Sequence, residues 1–341
     1  MTNFSIYIPG LEQAITSAAD NLISNVGLES AIYLLDCLAT KGAVPWANVA
    51  KYIQDKSSQG TSPSPSALEE VVSNISSTLG KIIEIDKKNI PTNILQCLKY
   101  EVWARLSHKV PSPFMNYGFH SAEPIELGGH DPNFTPAVQL YHYVASHLPA
   151  NPGRLLEVGS GNGGGADYVF RTFKPITYTG IDLCFANVRF SREHYQRNGL
   201  SFVHGDAQSL PFEDLNIFDA IINIESLHCY PEPEKFLREA ERVLAQGGIF
   251  LLADLFKEGK LDSFRSLVDK TSLSIRDSEN ITDGVYSAYD ESVKLKRELA
   301  KHLDAELRLI YLSMVQSRGF NRKETNWNEK GMSYHRITIV K

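Results

Sequence analysis

The chain is 341 residues long, 43% hydrophobic and 22% charged, with a formal net charge of −6 at pH 7. This is ordinary soluble-globular composition, and the length accommodates one large domain with an appendage or two domains. The acidic balance argues against nucleic acid as a partner and no apolar run approaches the ~18 residues of a membrane span; the scattered Cys37, Cys97, Cys184 and Cys229 read as reduced thiols of a cytoplasmic protein.

Met1 to Gly10 lacks the basic start and apolar core of a secretory signal. The region 1–110 then reads as helical. Leu11, Ile15, Ala18, Leu22 and Val26 fall on one stripe, with Gly27 as a C-cap. Residues 31–39, 46–53, 67–79 and 93–106 continue the pattern around a Ser/Pro-rich loop at 57–66. Nothing in this stretch carries recognisable chemistry. It is expected to be a helical appendage that pairs two copies into a homodimer or covers the substrate.

From Pro149 onward, strands and helices alternate, the signature of a doubly wound parallel α/β sheet. Strands are expected at 155–158, 177–181 (ending at Asp182), 201–204, 218–224 and 249–253, with helices at 164–173, 186–198 and 233–244. Gln246-Gly-Gly248 is expected to turn the chain into the fifth strand. The polar stretch from Phe256 to about His302 is too long for a simple connection and is expected to form a helical lid, 255–305. Residues 319–325 and 334–340 are expected to close the chain as an antiparallel hairpin. The expectation for 111–341 is therefore a Rossmann-like domain with a seven-stranded sheet.

The chemistry concentrates in Gly153-Arg-Leu-Leu-Glu-Val-Gly-Ser-Gly-Asn-Gly-Gly-Gly165. A buried strand runs there into a turn whose backbone can approach a nucleotide closely. Gly159, Gly161 and Gly164 fit the dinucleotide spacing, whereas Gly159, Gly161 and Gly163 fit a tighter one. Glu157 decides between them: a carboxylate at the strand tip repels a pyrophosphate but suits an ammonium and a sulfonium. That pair of cations belongs to S-adenosylmethionine (SAM). Asp182, some 20 residues on, is placed to accept ribose hydroxyls, with Leu183 beside it. Asp206 and Ala207 follow the third strand, where an aspartate accepts the adenine amine or, alternatively, only shapes a turn. The loop after the fourth strand, through Tyr230, lies where donor and acceptor meet.

These residues resemble a known family. Leu-Glu-Val-Gly-Ser-Gly-Asn-Gly-Gly-Gly-Ala166, Tyr-Thr-Gly-Ile-Asp-Leu183, Gly-Asp-Ala-Gln-Ser-Leu-Pro-Phe212, Asn-Ile-Glu-Ser-Leu-His-Cys-Tyr230 and Phe-Met-Asn-Tyr-Gly-Phe119 are similar to class I SAM-dependent methyltransferases. The likeness is strongest to the phthiotriol and glycopeptidolipid O-methyltransferase group and covers about two thirds of the chain. It implies methyl transfer from SAM to a hydroxyl of a bulky hydrophobic small molecule, a lipid or a polyketide or peptide metabolite. C- or N-methylation on the same scaffold, or a cyclase that binds SAM without transferring its methyl, are the competing readings. Gln246 departs from the proline usual in the family's Pro-Gly-Gly turn.

An alcohol acceptor must lose a proton as it attacks, so a base within reach helps. His228, just past the fourth strand, is the expected base. Glu225 is expected at the methionine end of the donor, or against His228. Tyr117 and Gln139 are expected to contact the donor as well. His142, His147, His194 and His302 have no partners at metal-ligand spacing, so no metal is expected.

Overall fold

The computed structural model describes residues 10–39, 47–51, 64–81, 92–107, 112–303, 308 and 331–341. The chain divides into two compact units, Met1–Lys109 with Cys184–Ala186, and Val110–Leu183 with Asn187–Lys341.

The first unit contains α1 (Leu11–Val26), α2 (Leu28–Ala39), α3 (Pro65–Leu79) and α4 (Thr92–Ser107), and residues 47–51 are helical as well. The stripe of α1 is buried from Leu11 through Ile15, Ala18 and Leu22 to Val26, and it packs on α2, α3 and α4. α3 begins where the Ser64 hydroxyl accepts the Ala67 N–H, with Pro65 supplying a preset φ in the first turn. Most of the Ser/Pro-rich loop, and Trp46, lie outside the described residues.

The second unit is a seven-stranded sheet in the order β3-β2-β1-β4-β5-β7-β6. Its strands are β1 (Arg154–Val158), β2 (Thr177–Asp182), β3 (Leu200–His204), β4 (Phe218–Ile224), β5 (Leu244–Phe256), β6 (Ser274–Asn280) and β7 (Ser333–Val340). The first five are mutually parallel, while β7 runs antiparallel to both β5 and β6. The unit also holds helices α5 (Thr135–Ala145), α6 (Gly164–Phe173), α7 (Phe185–His194, from Asn187 on), α8 (Pro233–Val243), α9 (Lys260–Val268) and α10 (Thr282–Ala300).

β1 shows why the sequence reads as a continuous apolar run. Leu155 packs with Val138, Val144 and Tyr178 in one cluster, while Leu156 packs with Ile221, Phe236 and Phe250 in another. Successive residues serve opposite faces, and helices cover both. The strand order reverses between β1 and β4. Loops leaving the C-terminal ends of two such strands diverge and open a crevice, the place where open α/β sheets take ligands.

Two expectations change and a third lies partly outside the described residues. The segment read as a helical lid is helical in α9 and α10, but its middle is strand β6. Ser-Ile-Arg-Asp-Ser-Glu-Asn280 gives no apolar alternation because it is a sheet edge, where charge discourages further pairing. It is held instead by Arg336 of β7, whose side chain is 4% exposed and reaches both Asp277 and Glu279; the Tyr143 hydroxyl also donates to Glu279. The expected hairpin partner at 319–325 lies outside the described residues, and the described partners of β7 are β5 and β6. Finally, β5 starts at Leu244 and runs through Gln246-Gly-Gly248, with a register shift against β4 between Phe218 and Ala220. The glycines make an irregularity within the strand, where a turn was expected.

Candidate active site

β1 delivers the chain into the glycine loop. Gly159, Gly161 and Gly163 all have positive φ, at 82°, 53° and 79°, so the tighter spacing is the one the backbone uses. Gly164 instead opens α6, where a Cβ would lie 2.6 Å from the Pro113 carbonyl. A side chain at Gly159 would collide with Ser226, because the loop after β4 comes down onto the loop after β1.

Beneath this loop Glu157 is fully buried. Tyr141 of α5 donates to its Oε1 and Tyr178 of β2 to its Oε2, each at 2.9 Å. Burial pushes its carboxyl up, the two hydroxyls pull it back, and the nearby Asp182 charge adds to the rise, leaving the pKa at about 7. Asp182 closes β2. Its Oδ2 accepts the Gly161 N–H at 2.8 Å and its Oδ1 accepts from Asn187 at 3.2 Å. The residue expected to receive a ribose therefore also shapes the glycine loop. The Leu183 carbonyl lies 3.0 Å from His204 Nε2. Asp206 is buried and its Oδ1 accepts the Gln208 N–H at 2.9 Å, so it does shape a turn, with Ala207 buried at its centre. The Gly205 N–H donates to the Asp182 carbonyl, tying the β2 and β3 exits together.

Residues 112–119 pass across the glycine loop. The Ser112 carbonyl accepts from Asn162, the Pro113 carbonyl accepts the Gly164 N–H, and Met115 Sδ would lie 2.9 Å from a Cβ on Gly161. The Tyr117 N–H donates to Glu225 Oε1 at 2.8 Å, and its ring meets Tyr289 of α10 edge-on. Gln139, on α5, has a buried Oε1 without a hydrogen-bond partner among the described residues.

The exit of β4 holds the remaining expected groups. Glu225 has φ 51°, a left-handed conformation that costs a non-glycine residue about 1–3 kcal/mol and persists where surrounding structure enforces it. The alternative contact considered for it, with His228, is not what the fold provides. His228 pairs instead with Asp254 of β5, Nδ1 to Oδ1 at 2.6 Å, and its own N–H donates to Asp254 Oδ2 at 3.1 Å. Burial alone would lower the imidazole, but the Asp254 charge and hydrogen bond outweigh it. With a smaller contribution from Cys229, they hold the pKa well above the usual histidine value. The His228 side chain is still 40% exposed, against 1% for Asp254. Asp254 is the main residue that sequence reading missed. It is a lone acid at the end of an apolar strand run, Phe-Leu-Leu-Ala-Asp254, and that interruption is the available signal. Nearby, Asn223 donates to the Val158 carbonyl and to the Tyr230 hydroxyl, which also contacts Ser226.

The family described as "Methyltransferase domain" matches residues 156–252, from Leu156 within β1 to Leu252 within β5. The chain is 48% identical over 143 residues to the fatty-acid O-methyltransferase of Mycolicibacterium smegmatis, 41% of this chain and 52% of that protein, so it spans about half the length of that relative. It is 35% identical over 210 residues to the phthiotriol/phenolphthiotriol dimycocerosates methyltransferase of Mycobacterium tuberculosis, 60% of this chain and 77% of that enzyme. The chain belongs to the class I SAM-dependent methyltransferases. Among solved structures it shares the fold of the [4+2]-cyclase SpnF, with a TM-score of 0.59 and 22% identity over 74% of this chain and 97% of that one.

The donor-side residues of this methyltransferase fit SAM. The left-handed glycines bare the backbone at the crevice, and Gln139 Oε1 and Asn223 Oδ1 are buried acceptors without partners among the described residues. Buried acceptors of this kind are expensive to leave unpaired. Of the described helices, none is long and apolar enough to cross a membrane.

Proposed function

We propose that this methyltransferase transfers the SAM methyl group to a hydroxyl of a bulky hydrophobic small molecule, a lipid or a secondary metabolite. SAM, when bound, supplies a methyl group already activated on a sulfonium. On the donor side, Glu157 beneath Gly159, Gly161 and Gly163 answers the ligand's positive charge. Asp182 with Leu183 takes the ribose, and Asp206 with Ala207 takes the adenine, Asp206 through Oδ2 because Oδ1 is used in its turn. Gln139 accepts from the ammonium. The chain's remaining work is to hold the acceptor oxygen in line and remove its proton.

The observation that carries the oxygen assignment is the His228–Asp254 pair. Asp254 fixes the proton on Nδ1, which leaves Nε2 as the acceptor of the alcohol proton, and stabilises the imidazolium that results. An uncharged amine has less use for such a base. The names of the two relatives, a fatty-acid O-methyltransferase and a methyltransferase of a phthiotriol lipid, support a lipid acceptor and, in the first, transfer to oxygen, there a carboxylate oxygen that has no proton to lose.

Incubating the protein with SAM and long-chain alcohols tests this. The expected result is S-adenosylhomocysteine together with a methyl ether identified by mass spectrometry. Ether-free turnover of C- or N-acceptors, or SAM binding with no S-adenosylhomocysteine formed from any acceptor, would overturn it.

A further inference from the structure

We propose that Glu225 is a positioning residue that latches residues 112–119 across the glycine loop and so governs donor affinity through Tyr117, without touching the donor. The inference rests on the donor site lying at the glycine loop, as read above.

The covering segment is pinned at two places. Upstream, the Ser112 and Pro113 carbonyls accept from Asn162 and from the Gly164 N–H, both in the loop-to-helix turn after β1. Downstream, the Tyr117 N–H donates to Glu225 Oε1 and the Tyr117 carbonyl accepts from Ser292 of α10. Between these pins Met115 stands against Gly161. Lifting the segment to admit or release a ligand at Gly161 therefore means breaking one set of pins. The upstream set uses two backbone carbonyls, whereas the downstream one includes a side-chain acceptor oxygen, that of Glu225, which a single substitution can remove.

The same Oε1 accepts a second bond from the Tyr334 hydroxyl of β7 at 3.1 Å, and the Glu225 N–H donates to the Ala253 carbonyl of β5 at 2.9 Å. Tyr334 is fully buried, so this partner is a fixed post. The left-handed backbone at Glu225 is what turns the side chain back from the β4 exit toward both donors. Three elements thus meet on one carboxylate oxygen: the cover, the antiparallel end of the sheet and the loop that carries His228. A side chain committed in this way sets where the cover rests.

Glu225→Gln, Glu225→Ala and Tyr334→Phe in the full chain separate this from a direct contact. Binding of SAM is measured by calorimetry and protection of the Tyr117 amide by hydrogen exchange. A glutamine keeps an acceptor oxygen but loses the charge. The latch predicts that Glu225→Gln keeps most of the Tyr117 protection and binds SAM within ~3-fold of the parent. Glu225→Ala should lose that protection and bind ~10-fold or more weakly, with Tyr334→Phe between the two. If Glu225→Gln binds SAM as poorly as Glu225→Ala while Tyr117 stays protected in both, the carboxylate meets the ligand's ammonium directly and the latch is wrong. If the alanine variant does not fold, the glutamine and Tyr334→Phe results decide by the same two readouts. Failure of the unaltered protein to bind SAM would instead overturn the donor-site reading itself.

Discussion

His228 and Asp254 sit on neighbouring strand exits, β4 and β5, and are joined twice, ring to carboxylate at 2.6 Å and backbone N–H to the second carboxylate oxygen at 3.1 Å. A two-point hold fixes both the tautomer and the direction of the imidazole. It also makes the pH behaviour of the reaction predictable.

A base works when unprotonated, so turnover should climb with pH through the His228 pKa, with its midpoint above the ordinary 6.5. His228→Ala should reduce turnover by ~10²–10⁴ and leave SAM affinity unchanged. Asp254→Asn removes the charge that raises the imidazole and leaves burial, which lowers it, so the midpoint should move to lower pH. A pH–rate profile of the three proteins checks this; an Asp254→Asn midpoint that stays put would remove Asp254 from the role.

Glu157 makes a separate prediction. Its folded pKa of about 7 lies above the ordinary 4.5, so the folded state binds this proton more tightly than the unfolded chain. The corresponding stability is present in full below pH 4.5 and is lost as pH rises to about 7, a difference of about 3 kcal/mol. Thermal melts of Glu157→Gln should lack this part of the decline over that range. SAM, bringing positive charge, should expel the proton. Calorimetry at pH 6 in buffers of different ionisation enthalpy should then show proton release on binding.

Asp182 joins the ribose position to the Gly161 N–H. Asp182→Ala should weaken SAM binding by ~1.5–3 kcal/mol through loss of charged hydrogen bonds, and Asp182→Asn, which still offers the loop an acceptor, should lose less. Equal affinity in all three proteins would contradict the assignment.

Gly165 tests packing. A Cβ there would run into the Tyr141 ring, which also holds Glu157. Gly165→Ala should destabilise the fold by ~1–3 kcal/mol in denaturant titrations, as overpacking does. It should weaken SAM binding as well, because Tyr141 has to move.

The sequence by itself determined the parallel half of the sheet, the glycine loop and the acids at the exits of β2 and β3. Buried strands must be apolar on both faces and a loop with alternating left-handed positions requires glycine, so these features are written in residue types over a few neighbouring positions. The tertiary structure alone decided what pairs with what. β6 is polar in sequence and becomes a strand by pairing with β7, from which Arg336, some 60 residues on, meets its two acids. Asp254 reaches His228 through the adjacency of β4 and β5, and Glu225 turns instead to Tyr117 and Tyr334, each more than 100 residues away in sequence. Such contacts depend on strand order and on one backbone angle, and neither leaves a local pattern of residue types to be read.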